Sequence, residues 1–302
     1  MTTVTPVRCG LVGTGHWARI THAPALASTE GIEFAAVWGR SPGAARELAA
    51  AHGAAAYADL DEFLASVDAV VFSVPPDVQS QIAVRAARLG RHLLLEKPIA
   101  FTDDEADALV EAVETAGVAS VVFFTSRFQS DVRDWLAEVT AASGWLGGRA
   151  IWPGTALEEG NPFNTPWRRL KGGLWDLGPH VVAMLWACLG PVTAVTAVAG
   201  QGDVTHLVLG HEGGASSTTT MTQDAPEAAS GYNLFVWGAA GRSVMPATPP
   251  DPEESLRVAA AELMAAARSG RADHPCDASF GRDIVRVLAE AETQLPATRS
   301  PQ

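Results

Sequence analysis

Over residues 1–125, short continuous apolar runs alternate with stretches of helical periodicity. Val7 to Val12, Ile32 to Trp38, Ala69 to Val74, His92 to Leu95 and Val118 to Phe124 are mainly apolar runs with few polar positions, the pattern of strands buried on both faces. The intervening stretches carry helix ends. Ser41 followed by Pro42 predicts an N-cap with proline at the first helical position, and that helix runs to about His52 before Gly53. Asp59 with Glu62, and Thr102 with Glu105, have capping-box spacing. Gly90 and Gly117 stand where helices ending near Leu89 and Ala116 need a left-handed residue. Alternation of this kind predicts a parallel sheet with right-handed crossovers and helices on both faces.

After Arg127 the pattern changes. A helix from Ser130 to about Ala142 leads to a strand at Arg149 to Thr155, an irregular stretch from Gly160 to Lys171, and a helical segment from Leu174 to Leu189. Val192 to Ala199, Thr205 to Gly210, Ala215 to Thr222 and Tyr232 to Trp237 are strand-like runs with hairpin spacing, which predicts a mostly antiparallel sheet. Pro246 to Pro252 reads as a loop, Glu253 to Arg268 and Ser279 to Gln294 as helices, and the chain after Pro296 as a frayed tail. The expected division is therefore an α/β domain over 1–125, an α+β domain over 126–295 and a tail over 296–302.

Composition narrows the partners. Of 302 residues 47% are hydrophobic and 18% charged, enough for two packed cores. A net charge of −13 with no basic stripe argues against nucleic acid or an anionic membrane as partner. Met1 to Pro6 lacks a basic segment leading into an apolar one, and no apolar run approaches the ~18 residues of a membrane span. Cys9, Cys188 and Cys276 are odd in number and widely spaced, which fits reduced buried thiols. These features predict a soluble cytoplasmic protein. His22, His52, His206, His211 and His274 have no metal-ligand spacing, so no metal is expected.

The first chemical signal is Gly13-Thr14-Gly15-His16-Trp17-Ala18, a G-x-G-x-x-A turn between the first strand and the next helix. Gly13 permits the tight turn, Gly15 admits a pyrophosphate to the backbone, and Ala18 lets helix and sheet pack closely. The helix start offers unpaired amides to phosphate. In this βαβ context the turn predicts a dinucleotide site. The second strand ends Val37-Trp38-Gly39-Arg40-Ser41 without the carboxylate that would bind a free ribose 2′-hydroxyl. Arg40 and Ser41 suit a 2′-phosphate instead, so NADP is the expected cofactor, with NAD as the alternative.

Two further groups carry polar chemistry. Glu96-Lys97-Pro98 follows a strand at the carboxyl edge of the predicted parallel sheet, where open α/β sheets bind ligands. In Gly172-Gly173-Leu174-Trp175-Asp176-Leu177-Gly178-Pro179-His180, helical spacing puts Asp176 and His180 on one face, a possible acid–base element. Taken singly, Lys97 also reads as a surface lysine, and His180 as a core histidine with Asp176 as a cap.

In order along the chain these residues resemble the glucose-fructose oxidoreductase / inositol dehydrogenase / rhizopine catabolism (Gfo/Idh/MocA) family. The turn at Gly13 to Ala18, Val74-Pro75-Pro76-Asp77, Gly90-Arg91-His92, Glu96-Lys97-Pro98 and Gly172-Gly173 with Asp176 and His180 carry the resemblance. Arg127-Phe128, Pro166-Trp167-Arg168, Leu189-Gly190-Pro191 and His274 to Leu288 extend it over nearly the whole chain. It implies a Rossmann domain, then a domain with an open, mostly antiparallel sheet that pairs with other copies in a homo-oligomer. It implies Lys97, Asp176 and His180 as catalytic residues. Candidate cofactor contacts are Gly13, Thr14, Gly15, His16, Trp17, Arg40, Ser41, Ser73, Pro75, Glu96 and Lys97; candidate substrate contacts are Arg127, Trp167, Arg168 and His180.

The implied activity is hydride transfer between a nicotinamide and a hydroxyl or keto carbon of a sugar, inositol or related small molecule. The helix after Pro76 begins Asp77-Val78-Gln79, without the histidine often found in that neighbourhood of the family. Three other readings stay open on the same fold: a non-catalytic NADP or sugar sensor, a glycosidase using tightly held NAD, and a reductase of imines or other non-sugar carbonyls.

Overall fold

The computed structural model describes residues 5–239, 241–270 and 272–296, in two compact units. The first holds the chain up to Phe128 together with Pro250–Asp283; the second holds Gln129–Pro249 and the chain from Ile284 onward.

The first unit is built on a parallel sheet of β1 (Val7–Val12), β2 (Ile32–Trp38), β3 (Ala55–Tyr57), β4 (Ala69–Phe72), β5 (His92–Glu96) and β6 (Ser120–Phe123). Their order is β3-β2-β1-β4-β5-β6, so the chain winds outward from β1 in both directions and the strand order reverses between β1 and its parallel neighbour β4, the switch point at which such sheets bind ligands. Burial explains the continuous apolar runs: Cys9, Leu11 and Val12 of β1 and all four residues of β4 are buried. The crossovers include α1 (Ala23–Ser28), α2 (Pro42–His52), α3 (Leu60–Ala65), α4 (Pro76–Arg88) and α5 (Asp103–Ala116). Ser41, Asp59 and Thr102 each accept a hydrogen bond from the backbone N–H three residues on, as capping requires. Gly53 and Gly117 close α2 and α5 in the left-handed region, with φ of +71° and +63°.

The second unit contains α6 (Ser130–Ala141), β7 (Trp145–Pro153), α7 (Pro166–Asp176), α8 (Gly178–Leu189), β8 (Val192–Ala199), β9 (Thr205–His211), β10 (Ser216–Thr222), β11 (Asn233–Gly238) and β12 (Gly241–Val244). The six strands run in the order β12-β11-β7-β10-β9-β8. All neighbours are antiparallel except β7 and β10, which pair in parallel. The sheet is thus mixed and mostly antiparallel, as its hairpin spacing predicts. Apolar α8 packs on β7 and β10, and Gly148 gives it room: a Cβ there would stand 3.1 Å from the side chains of Leu185 and Leu189.

Three expectations need correction. The stretch from Gly160 to Lys171 is not irregular throughout, because α7 begins at Pro166. Thr165 is extended and Pro166 occupies the first turn, a helix start that the following Gly172-Gly173 pair obscures in the sequence. β7 begins at Trp145 rather than Arg149, since Gly147 and Gly148 are strand residues and not a turn. The boundary between units also differs from the division 1–125 and 126–295. α9 (Pro252–Ser269) buries Leu256, Ala259, Ala260, Leu263 and Met264 and packs on α1, β5 and β6, which returns Pro250–Asp283 to the first unit. Val122 N donates to Cys276 O at 2.7 Å and Ala278 N to Ser120 Oγ at 3.0 Å, tying the same segment to β6. An amphipathic stripe says that a helix must pack, but not on which sheet. The boundary then falls inside α10 (Ala278–Thr293), after Asp283.

Candidate active site

In the first unit the carboxyl ends of parallel β1, β2, β4 and β5 lie along one edge, and the candidate cofactor residues gather there. Gly13 has φ +125°, and a Cβ on it would lie 2.3 Å from the carbonyl oxygen of Ser73, so no L side chain fits. Ser73 N in turn donates to Val12 O at 2.8 Å, which fixes the end of β4 against the turn. Around Gly15 the opposite holds: a Cβ would meet nothing within 4 Å. Exposed His16 starts the following helix, whose backbone bonding begins with Arg19 N to Gly15 O at 3.1 Å. A tight turn closed to side chains, beside open space at a helix start, fits the diphosphate of a dinucleotide.

At the end of β2, Gly39 lies against Thr14, with 2.9 Å from a built Cβ to Thr14 Cγ2. Arg40 and Ser41 follow and are exposed. The Ser41 hydroxyl accepts from Ala44 N at 3.4 Å as the cap of α2, a bond that does not use its own proton. Pro75 precedes α4 and accepts from Gln79 N at 2.9 Å.

Glu96 ends β5 and is engaged by two side chains of the turn's own helix. Trp17 Nε1 donates to Glu96 Oε1 at 2.7 Å, and His22 Nε2 lies 3.1 Å from the same oxygen. The chain from Ala18 to His22 is wound as a π-helix, with Ala23 N bonded to Ala18 O, and buried His22 lies at its end. Trp17 and Glu96, both expected at the cofactor, are therefore bound to each other, and His22 joins them. Lys97 follows, half-buried, and its bond to Pro98 is cis. The backbone on either side is gripped by Gln79: Oε1 accepts from Glu96 N at 2.8 Å, while Nε2 lies 2.8 Å from Glu96 O, 3.3 Å from Pro98 O and 3.4 Å from Ile99 O. Arg127 also belongs to this unit, its guanidinium 5.9 Å from the centre of the Phe280 ring.

In the second unit Gly172 breaks α7 at φ +63°, and its missing Cβ is required: one built there would lie 2.0 Å from Asp203 Oδ1. Asp203 accepts from Gly173 N at 3.0 Å and from Gln223 N at 2.7 Å, joining the kink to the end of β10. Beyond the kink Asp176 is buried. Its Oδ2 accepts from Arg168 Nε at 2.8 Å and from the side-chain amide of Gln223. The Arg168 guanidinium lies 4.5 Å over the Trp167 ring and 5.5 Å over that of Phe163. The arginine assigned to substrate by resemblance is therefore held on Asp176.

Leu177 keeps helical angles between α7 and α8, and Val181 N bonds to Leu177 O, so Asp176 and His180 retain the one-turn spacing read from the sequence. His180 is buried beside Trp152, ring centres 5.5 Å apart, and Trp152 stacks on Tyr232 at 4.3 Å. Burial pushes the Tyr232 hydroxyl well above the usual phenolic range.

Each unit thus brings together its own share of the predicted residues, and the structure adds partners that sequence reading missed. Gln79 had a visible signal. The buried stripe of α4 at Ile82, Ala83, Ala86 and Ala87 extends back one turn onto Gln79, a polar side chain in a core position. His22, Asp203 and Gln223 had none, because their partners are remote in sequence. Among the described residues no group of three or more His, Cys, Asp or Glu could hold a metal ion, and no helix is long and apolar enough to cross a membrane.

A parallel sheet of this order, with a tight glycine turn after β1, defines a dinucleotide-binding fold of the Rossmann type. Residues 7–124 match the GFO_IDH_MocA model, described as "Oxidoreductase family, NAD-binding Rossmann fold". The first unit thus carries the NAD-binding domain of the Gfo/Idh/MocA oxidoreductase family, and the chain as a whole resembles NAD(P)-dependent dehydrogenases. It is 28% identical over 294 residues to an uncharacterized oxidoreductase of Rhizobium meliloti, covering 90% of this chain and 85% of that protein. It is 31% identical over 131 residues to the scyllo-inositol 2-dehydrogenase (NADP(+)) of Bacillus subtilis, covering 42% of this chain and 40% of that protein. The crystal structure of GenD2 from gentamicin A biosynthesis in complex with NAD superposes with a TM-score of 0.84 at 20% identity, covering 97% of this chain and 95% of that one. At that identity the likeness is one of fold.

Proposed function

We propose that this chain is an NADP-preferring dehydrogenase that interconverts a hydroxyl and a keto carbon on a sugar, inositol or related polyol. The observation that carries the cofactor choice is the end of β2, where exposed Arg40 follows Gly39 and no carboxylate stands to receive a ribose 2′-hydroxyl. The substrate class is supported by the polyol named for the Bacillus subtilis relative.

Gly13, Thr14, Gly15 and His16 would hold the diphosphate, Arg40 and Ser41 the 2′-phosphate, and Ser73 and Pro75 would border the same edge. The nicotinamide, when bound, supplies the hydride chemistry. Lys97 is the proposed donor, through Nζ, of a hydrogen bond to the reacting oxygen, where negative charge develops. His180 takes the hydroxyl proton at a ring nitrogen in oxidation and returns it in reduction, with Asp176 balancing the charge. Arg127 and Trp167 remain proposed substrate contacts.

Buried Cys9, Cys188 and Cys276, which form no disulfide, support placing the protein in the reducing cytoplasm. The exposed face of the second sheet supports a homo-oligomer formed through it.

Fluorescence titration with NADPH and NADH tests the cofactor choice. NADPH is expected to bind about 10-fold or more tighter, as one charge-assisted phosphate contact provides, and Arg40→Asp should erase the gap. Equal affinities in the wild type would remove the preference. A panel of inositols, aldoses and their keto forms, followed by NADPH absorbance, tests the substrate class. Cofactor binding without turnover of any member would favour the sensing alternative.

A further inference from the structure

We propose that Gln79 is a positioning residue for the reaction, acting on Lys97 through the backbone that flanks it. This rests on the reading of Lys97 as catalytic. β5 pairs with β4 only as far as Leu94, opposite Val71, although on its other side it continues to pair with β6 through Glu96. Past Leu94 the chain has lost one neighbouring strand just before the segment that carries Lys97.

Gln79, fully buried on α4, stands where that strand has ended. Its amide has the donor and acceptor of a peptide group and takes up the unpaired bonding. Oε1 accepts from Glu96 N at 2.8 Å, and Nε2 donates to Glu96 O at 2.8 Å and lies 3.3 and 3.4 Å from Pro98 O and Ile99 O. One side chain thus grips the residues before and after Lys97. Neither a carboxylate, which cannot donate, nor an apolar side chain can do this.

Lys97 receives its direction from a backbone held at both ends, and misplacement of a reacting group by about 1 Å can cost on the order of 10²-fold in rate. Gln79 touches none of the reacting groups. Its part is to hold Nζ in register with the oxygen it serves.

The test is a double-mutant cycle, assayed with NADP and the best substrate of the polyol panel. Gln79→Met keeps length and shape without the hydrogen bonds. It should lower kcat by about 10–10²-fold while the NADPH Kd, from fluorescence, stays within about 3-fold. In a Lys97→Ala background the same change should cost less than about 3-fold, because the residue on which it acts is gone. Gln79→Glu should be impaired at high pH and recover relative to the wild type as pH falls, since a protonated carboxyl again donates and accepts. Exchange of the Glu96 amide, followed by hydrogen–deuterium mass spectrometry, should accelerate in Gln79→Met without any ligand.

Unchanged kcat in Gln79→Met, or full additivity with Lys97→Ala, would overturn the proposal. Wild-type turnover in Lys97→Ala would instead overturn the catalytic reading beneath it. If Gln79→Met fails to fold, the pH profile of Gln79→Glu decides: parallel to the wild type, it too overturns the role.

Discussion

Arg168 Nε stands 2.8 Å from Asp176 Oδ2, with side-chain exposures of only 17% and 6%. The carboxylate nearest His180 in sequence is therefore paired with an arginine of its own helical segment. Removing one partner of a buried ion pair leaves an uncompensated charge, at a cost of about 3–5 kcal/mol. Arg168→Met should lose stability of that order in urea unfolding and should lower kcat. Arg168→Lys should fall between, because an ammonium keeps the charge but loses the planar stacking on Trp167. A variant that raises KM alone, with stability and kcat intact, would return Arg168 to the substrate.

The two glycines of the phosphate turn should fail differently. Gly13→Ala puts a Cβ 2.3 Å from the Ser73 carbonyl on a backbone with φ +125°, so the turn itself must move. Both melting temperature and NADPH affinity should fall. Gly15→Val enters space that is open within 4 Å of a built Cβ, and should fold with a melting temperature within about 3 °C of the wild type, a shift below roughly 1 kcal/mol. Its NADPH affinity should nonetheless drop by about 10-fold or more, because the diphosphate needs that space. Unaltered affinity in Gly15→Val would mean that the phosphates sit elsewhere.

The contrast between legible and illegible parts of the chain follows from where the physics is local. β1 and β2 were readable because each carries four successive buried positions, Cys9 to Val12 and Phe34 to Val37, interrupted only by Arg8 and Glu33 near their starts. The helices begun by Ser41, Asp59 and Thr102 were readable because a cap is a three-residue event. Two edge strands, β3 at Ala55–Tyr57 and β12 at Gly241–Val244, were too short and exposed to leave a pattern. At the site, the individual residues Gly13, Asp176 and His180 were visible, but their partners were not. Asp176 meets Gln223 from 47 positions away, a distance over which spacing carries no information, and the core position that marks Gln79 does not name Glu96 as its partner.

Acidification should destabilise the protein through its buried histidines. His211 bridges Gly190 O at 2.8 Å and Ser217 Oγ at 2.9 Å, and burial holds its pKa below the ordinary 6.5. The His92 pKa is lowered in the same way, and its Nδ1 accepts from Ala119 N at 3.0 Å. With a lowered native pKa, the unfolded chain takes up the proton first. The neutral-histidine contribution is therefore complete above 6.5 and is lost as pH falls below it through the native value. Asp277, raised by burial above 3.8, acts in the opposite sense closer to that value. Melting temperature should fall between pH 7.5 and 5.5, and His211→Gln should flatten the slope. A variant slope identical to that of the wild type would remove His211 from the account.

The second sheet leaves one face uncovered by its own helices, and the register shows which side chains share it. Val208 lies opposite Thr196 on β8 and Thr218 on β10; Thr218 lies opposite Arg149, and Arg149 opposite Phe235. Strand alternation places Val198, Trp237 and Val244 on the same side. Val198, Val208, Trp237 and Val244 are 58%, 51%, 47% and 45% exposed, an apolar set running from one edge strand to the other. Such a face is expected to be covered by a second copy of the chain. Val208→Asp combined with Trp237→Asp should shift the sedimentation coefficient to that of a monomer. NADPH affinity should be unchanged, since both substitutions point away from the core of their own unit. A wild-type protein that sediments as a monomer at tens of micromolar would leave this face without the partner assigned to it.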